Sequence, residues 1–379
     1  MLIDRARVIA PRGVIDGYVL VRDTRIVAVD AGAPPRRFRN ELVLDLDGAW
    51  LAPGFVDLQV NGAAGVDITT DPSRLGEVAA VLVRSGVTSF LPTVVTAPRR
   101  ERDEAIRHCA LRSSCVSRDA TVLGVHLEGP MLSPSRAGAH SLADLELPSP
   151  KLVEGWSADA GVALVTLAPE LPGAAAIIRL LRQRGVVVSI GHTDCNAREF
   201  HAARVAGATF VTHLFNAMRP FAHRDPGPVG ATLADPEVVA GLIADGVHVD
   251  PVAVEMAFRT LGPERLVLVS DAVAPIGTAM TGGSLGGGGI TVASGRATAA
   301  GGQLAGSVVS LDCGLRNLVA WAGCDVPAAV KTVTSTPARV LGRKDVGVIG
   351  VGARADLTVL DDDLRVASTI VGGEIVWKS

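Results

Sequence analysis

Eight apolar, strand-length runs recur along the middle of this chain, at residues 55–60, 89–95, 122–128, 163–168, 186–191, 209–214, 238–244 and 265–270. Their starts lie 23 to 41 residues apart, the length of one strand plus one crossover helix. Segments rich in Ala, Leu and Arg fill the gaps at helical spacing, for example 99–115, 172–183 and 196–206. A chain that alternates buried strand and helix in this way is confined to a parallel sheet, and a count of eight predicts closure into a (β/α)8 TIM-like barrel. The polar residues supply a test. Strand interiors carry almost no charge, whereas Gln59 and Asn61, Thr93, Glu128, Glu170, His192, His213, Asp245 with His248, and Asp271 gather at the ends of the runs. That is the face on which barrels of this kind build their chemistry. An open dinucleotide-binding sheet would also collect polar groups there, but no G-x-G-x-x-G follows an early run.

The flanks have a different texture. Residues 2–10, 17–21, 25–29 and 42–46 read as short strands, with Asp16-Gly17 and Asp23-Thr24 as turns. The tail repeats this at 356–360 and 366–377, with Gly372-Gly373 as a hairpin turn. Two all-β pieces at opposite ends are expected to pair. The sequence therefore predicts a small β-sandwich domain from residues 1–52 plus 347–379, and a barrel from residues 53–346.

At 379 residues and 48% hydrophobic, the chain can bury a large core. Its net charge of −3, without any Lys/Arg run, argues against nucleic acid or a membrane surface as partner. No uninterrupted apolar stretch reaches membrane-spanning length. Residues 1–12 carry Asp4, Arg5 and Arg7 and read as no signal peptide. Five scattered cysteines (Cys109, Cys115, Cys195, Cys313 and Cys324) form no C-x-x-C pair, so a reduced, cytoplasmic protein is expected. Cys195 follows His192 by three residues and reads as a small buried thiol. The glycine cluster at 282–289 lacks the Lys-Ser/Thr of a phosphate loop, and a flexible hairpin or a lid over 278–305 is expected instead.

Among the strand-end residues, Glu128, His192 and His213 stand out. One carboxylate and two imidazoles delivered from separate strands suit a divalent ion, Zn²⁺ or Fe²⁺, with an open position for water. Asp271, at the end of the eighth run, is placed to act as general base; the alternatives are a helix cap or a salt-bridge partner. His126 shares a strand face with Glu128, and a supporting or purely structural role stays open. His140 and His248 fall in or beside loops on the same face, and Arg224 lies in the polar segment 223–227.

The motifs P-G-F-V-D-L-Q-V-N-G (53–62), G-V-T-S-F-L-P-T (86–93), H-L-E-G-P (126–130), T-L-A-P-E (166–170), G-H-T-D (191–194), T-H-L-F-N-A-M (212–218), R-D-P-G (224–227), I-A-D-G-V-H-V-D (243–250), S-D-A (270–272) and L-A-G-S (304–307) follow one another in order. T-P-A-R (336–339) and G-A-R-A-D (352–356) complete the set. In that order and spacing the chain resembles the amidohydrolase superfamily, and within it the branch that deacetylates N-acetyl amino sugar 6-phosphates. The resemblance implies hydrolysis of the acetamide of N-acetyl-D-glucosamine 6-phosphate, with the galacto epimer as the alternative. It implies Glu128, His192 and His213 as metal ligands, Asp271 as acid/base and His140 as a residue facing the substrate. Asn216, Ala217 through its backbone, Arg224 and His248 match positions that bind the sugar phosphate, and Leu304 one that lines the acetyl pocket. In the family the arginine comes from a neighbouring subunit, which implies a homodimer. Gln59-Val60-Asn61 replaces the H-x-H that holds a second metal in many members, which implies a one-metal site with Gln59 and Asn61 near the substrate. Met131 replaces a frequent aromatic residue, so sugar recognition through phosphate and hydroxyl contacts is expected. The rival readings are an amidohydrolase of N-acyl amino acids or cyclic amides, and a non-catalytic binding barrel.

Overall fold

The eight apolar runs become eight parallel strands: Phe55–Val60, Val87–Val95, Val125–Glu128, Val162–Leu167, Val187–Ile190, Phe210–Val211, Val239–Leu242 and Leu266–Leu268. They belong to a computed structural model that describes residues 1–38, 41–113 and 118–379. Each strand pairs with the next in chain order. The ring closes just past the strand ends, where Val60 bridges Ala272 and the amides of Asn61 and Gly62 both donate to the Ala272 carbonyl at 2.8 and 3.0 Å.

Strand periodicity sets what fills the barrel. Leu91, Leu164, Val187 and Phe210 point inward and pack in one apolar cluster with Val56, Leu58 and Val267. Two residues further along each strand, the same face carries Thr93, Thr166, Ser189 and Thr212. These hydroxyls link to one another and to His126, through His126 Nε2 to Thr166 at 2.7 Å, Thr166 to Thr212 at 2.7 Å and Ser189 to Thr212 at 2.5 Å. An apolar floor thus gives way to a dry, hydrogen-bonded layer directly before the strand ends, and this layer seats His126 structurally.

Helices Arg99–Ser113, Ala174–Gln183 and Ala197–Ala206 appear where the spacing predicted them. The last begins with a capping box, in which Asn196 Oδ1 accepts from the Arg198 and Glu199 amides and Glu199 returns a bond to the Asn196 amide. No α-helix follows the third strand; residues 129–161 form a long loop with short 3₁₀ turns, and this loop carries Arg136 and His140. The run at 122–128 is split at Gly124, whose φ of +133° and close approach to Ala163 break the strand.

Both chain ends meet in one sheet. Leu2–Ala10 pairs with Gly13–Arg22, and that strand with Arg25–Ala31. On the other side Trp50–Pro53 runs parallel to Leu2–Ala10 and antiparallel to Leu357–Leu360, followed by Val366–Val371 and Glu374–Lys378. Ile3, Val8, Val19, Leu51, Leu357 and Ile370 share its core. The expected turn at Asp16-Gly17 does not exist: both residues lie inside Gly13–Arg22, and the reversal is at residues 11–12. Gly17 serves close strand approach, since a Cβ there would meet the Asp30 carbonyl oxygen at 2.0 Å.

The glycine-rich segment forms the expected hairpin and adds a third strand to it. Gly282–Leu285, Gly288–Ala293 and Arg296–Ala299 form a three-stranded antiparallel sheet, packed through Ile290, Ala297 and Ala305 on Val273. The Gly287 amide ties its tip to Asp67 at 3.1 Å. Cys109, Cys195, Cys313 and Cys324 are free thiols, with Cys109 and Cys195 buried, and Cys115 lies outside the described residues. Among the described residues no helix is long and apolar enough to cross a membrane.

Candidate metal centre and active site

Glu128, His192 and His213 converge where their strands end. Glu128 Oε1 is 3.0 Å from His213 Nε2 and 3.3 Å from His192 Nε2, and the two imidazole nitrogens are 3.1 Å apart. Hydrogen bonding sets what these atoms offer. The carbonyl of Arg136 can only accept, so its 2.9 Å bond to His192 Nδ1 places the proton on Nδ1 and leaves a lone pair on Nε2. His213 Nδ1 is buried without a hydrogen-bond partner among the described residues. The Glu128 carboxylate and the His192 Nε2 lone pair thus face each other in a buried space with His213 Nε2 beside both, an arrangement that favours a cation or a proton between them. Tetrahedral coordination at about 2.1 Å has ligand–ligand edges of roughly 3.4 Å, and this triangle is close to that size. The residues fit a divalent ion.

The electrostatics point the same way. Burial disfavours the charged form of Glu128, yet the imidazoles of His140, His192 and His213 beside it outweigh burial and hold the carboxyl well below the usual carboxylate range. Burial lowers and Glu128 raises the affinity of His213 for a proton, with a net upward shift. The attraction that would retain a proton there is equally available to a metal.

The backbone is bent to bring these side chains inward. His192, His213 and Asp271 adopt positive φ values of 47°, 30° and 51°, a region that costs a non-glycine residue about 1–3 kcal/mol. At each of these strand ends the extended chain turns sharply, which swings the side chain off the strand and into the mouth of the barrel. Periodicity alone carries no sign of this.

Asp271 faces the triangle across the cavity. Its Oδ1 accepts from Asn61 Nδ2 at 2.7 Å, which leaves Oδ2 for chemistry. Burial and then the Glu128 charge push its carboxyl up to about 6. His140 approaches from the long third loop, with Nε2 3.7 Å from Glu128 Oε2. The Thr96 amide donates to His140 Nδ1 at 3.2 Å, so in the neutral ring Nε2 carries the hydrogen. Burial, then the neighbouring His192, push the His140 imidazolium down to about 4. Glu128, His140 and His192 also offer donor atoms within 4.8 Å of one another. The His213 set is tighter, and the Thr96 bond commits His140 to donating a hydrogen rather than a lone pair.

A cavity of about 550 Å³ opens over this group, lined by Asn61, Glu128, His140, His192, His213, Asn216, Ala217, His248, Asp271 and Leu304. Leu285 of the three-stranded sheet and Gln303 close one side. Two expected residues are placed differently. Gln59 is not on the cavity wall; its Nε2 donates to Glu128 Oε1 at 3.0 Å, so it holds a ligand candidate rather than touching what the cavity contains. Arg224 is exposed, outside the cavity lining, with Nη1 against His223 Nε2 at 2.9 Å.

Two supporting contacts escaped the sequence reading, and the partner of His248 was visible there only as a strand-end carboxylate. Thr96 fixes the His140 ring, and the Arg136 carbonyl fixes His192. Asp245 Oδ2 accepts from His248 Nδ1 at 2.8 Å and from Ser307 at 3.0 Å, which aims His248 into the cavity. The D-x-x-H spacing of 245–248 was the available sign. Backbone carbonyls and a loop threonine leave none.

Comparison with known proteins agrees with this arrangement. The amidohydrolase family profile matches residues 50–376. The human N-acetylglucosamine-6-phosphate deacetylase is 40% identical over 350 residues, covering 88% of this chain and 85% of its own. The Bacillus subtilis protein of the same name is 34% identical over 374 residues, 96% and 93% of the two chains. The structure of a Mycobacterium smegmatis N-acetyl-D-glucosamine-6-phosphate deacetylase variant in complex with N-acetyl-D-glucosamine-6-phosphate superposes with a TM-score of 0.92 at 36% identity, covering 99% of each chain. With its barrel, its strand-end cluster and this breadth of similarity, the chain belongs to the amidohydrolase family.

Proposed function

We propose that this chain hydrolyses the acetamide of N-acetyl-D-glucosamine 6-phosphate to D-glucosamine 6-phosphate and acetate, with one divalent ion held by Glu128, His192 and His213. The observation that carries this reading is the convergence of one buried carboxylate and two buried imidazoles opposite a second carboxyl in one cavity, in a chain 40% identical to a deacetylase of that substrate. Divalent metal dependence is typical of the family. Two nitrogens and one carboxylate oxygen favour zinc, with iron(II) as the second choice. When bound, such an ion supplies a Lewis acid that polarises the carbonyl and acidifies water.

The chain's own residues do the rest. Asp271 Oδ2 accepts a proton from water as the water oxygen attacks the acetamide carbon. Asn61 keeps Oδ1 occupied, so the proton goes to one atom. His140 Nε2–H donates to the oxygen that gains charge. The C–N bond then breaks, and Asp271 returns its proton to the departing amine. His248, aimed by Asp245, holds the sugar phosphate away from the reacting bond, so that remote binding energy orients the acetamide.

Arg224 lies exposed and outside the lining of its own chain's cavity, which fits a homodimer in which it reaches the neighbouring site. Arg224→Ala is expected to cost kcat/KM about 100-fold for the phosphorylated substrate and little for unphosphorylated N-acetylglucosamine. Mixing Arg224→Ala chains with Asp271→Asn chains then restores activity in hybrid dimers. Equal losses on both substrates, or no recovery on mixing, count against the clamp and its origin in trans.

Catalysis requires ionised Asp271, so kcat falls as acid protonates it. Burial sets that point at about 6, and a bound cation pulls it lower. A kcat profile with an acidic limb at or below about 6 is expected; a rate that stays flat well below that range contradicts the base role. Residues 1–52 with 347–379 form the small domain and 53–346 the catalytic barrel in this reading, supported by the sheet shared by both termini. A cytoplasmic setting is supported by the four free thiols. The experiment that tests the substrate is acetate release from the 6-phosphates of N-acetylglucosamine and N-acetylgalactosamine. Release from the first at a clearly higher kcat/KM is expected, and release from neither overturns the reading.

A further inference from the structure

The barrel has a weak seam. Among the described residues its first and last strands, Phe55–Val60 and Leu266–Leu268, share no regular ladder, and their backbones meet just past the strand ends, at the Val60 to Ala272 bridge and the Asn61 and Gly62 amides. Asp57 fills the gap. It is fully buried, and its Oδ1 accepts from the Gln59 amide and from the Ser270 amide, both at 3.2 Å. Ser270 Oγ donates to the Gln59 carbonyl at 3.3 Å and accepts from the Ala272 amide at 3.2 Å. One carboxylate and one hydroxyl therefore stitch the two strands where backbone pairing fails.

The stitched residues are those that lead into the site. Gln59 carries the amide that holds Glu128 Oε1 at 3.0 Å, and Ser270 is the residue before Asp271. Asp57 Oδ2 has no hydrogen-bond partner among the described residues. Burial, opposed by its bonds to Ser270 and Gln59, pushes this carboxyl up to about 7. Ordinary strand pairing would close the seam without a buried, half-satisfied carboxyl and its desolvation cost. What strand pairing cannot do is tie the approach to Glu128 and the approach to Asp271 to a single oxygen atom.

We propose that Asp57 is a positioning residue: through Gln59 and Ser270 it sets the spacing between Glu128 and Asp271, and so sets kcat without touching substrate. The proposal rests on reading Asp271 as the base and Glu128 as a metal ligand.

The test compares Asp57→Leu, Asp57→Asn and Asp271→Asn, each saturated with zinc, by kcat, KM, the kcat–pH profile and zinc per chain. Leucine fills the volume and removes the acceptor. It is expected to lower kcat per folded, zinc-loaded chain about 100-fold, the scale of a 1 Å misplacement, to leave KM within about threefold, and to move the acidic limb of kcat. Asparagine keeps an acceptor at Oδ1 and is expected to recover kcat to within about fivefold of the parent. A folded Asp57→Leu protein with parental kcat and pH profile overturns the proposal. So does a loss explained wholly by a smaller folded fraction, or a failure of both Asp57 variants to fold, since Asp57 would then hold the barrel and not the site. Asp271→Asn separates the two levels. If it keeps turnover, the base reading has failed and takes the proposal with it; if it is inactive while Asp57→Leu is normal, only the positioning role is lost.

Discussion

Replacing Asp271 with Asn slows the chemical step by about 10²–10⁴-fold, the range that one positioned general acid–base group contributes, while the protein keeps its fold and its ion. The substitution is isosteric, and Asn61 Nδ2 already engages the Oδ1 position that the new carbonyl oxygen can occupy. The amide takes no proton at Oδ2, so neither water deprotonation nor amine protonation has its partner. Glu128, His192 and His213 meet through contacts that do not include Asp271, so metal content is expected to stay at that of the parent. Single-turnover acetate release alongside elemental analysis checks both halves. Near-parental turnover would show that another group moves the proton.

Loss of the ion is the second large effect. Glu128→Ala and His213→Ala each delete one corner of the triangle, and both are expected to leave well under one metal per chain after dialysis, with turnover at the limit of detection. Chelation of the parent protein is expected to do the same reversibly, with activity returning on addition of zinc. Stability follows by linkage: an ion present at about 1,000 times its Kd stabilises the folded state by about 4 kcal/mol. The parent's Tm is therefore expected to fall on chelation, while that of Glu128→Ala is insensitive to chelator. A Glu128→Ala protein that retains one tightly bound ion would place the metal elsewhere.

The parts of this molecule legible in sequence are those written in periodicity and spacing. All eight barrel strands overlap their apolar runs because strands covered on both faces need near-continuous hydrophobic residues. Glu128, His192, His213 and Asp271 were visible because a charged group directly after such a run has only the barrel mouth to face. Gly17 misled because glycine and aspartate mark turns more often than close strand contacts. The full extent of the three-stranded sheet over the cavity was hidden by its glycines, which weaken any strand pattern. Gln59 was given a substrate contact although its amide is taken by Glu128, a pairing that joins residues 69 apart in sequence. The contact of Asp57 with the Ser270 amide depends on closure of the ring, and that of Thr96 with His140 on the path of the long loop after the third strand.

The central claim is that one divalent ion sits on Glu128, His192 and His213 beside Asp271. Anomalous diffraction at the absorption edge of the metal found in the purified protein tests it most directly. The expected result is a single strong peak per chain, within about 2.3 Å of one Glu128 carboxylate oxygen, His192 Nε2 and His213 Nε2. A peak bound instead through His140, or at Asn61, or no peak among these residues in an active crystal, would contradict it.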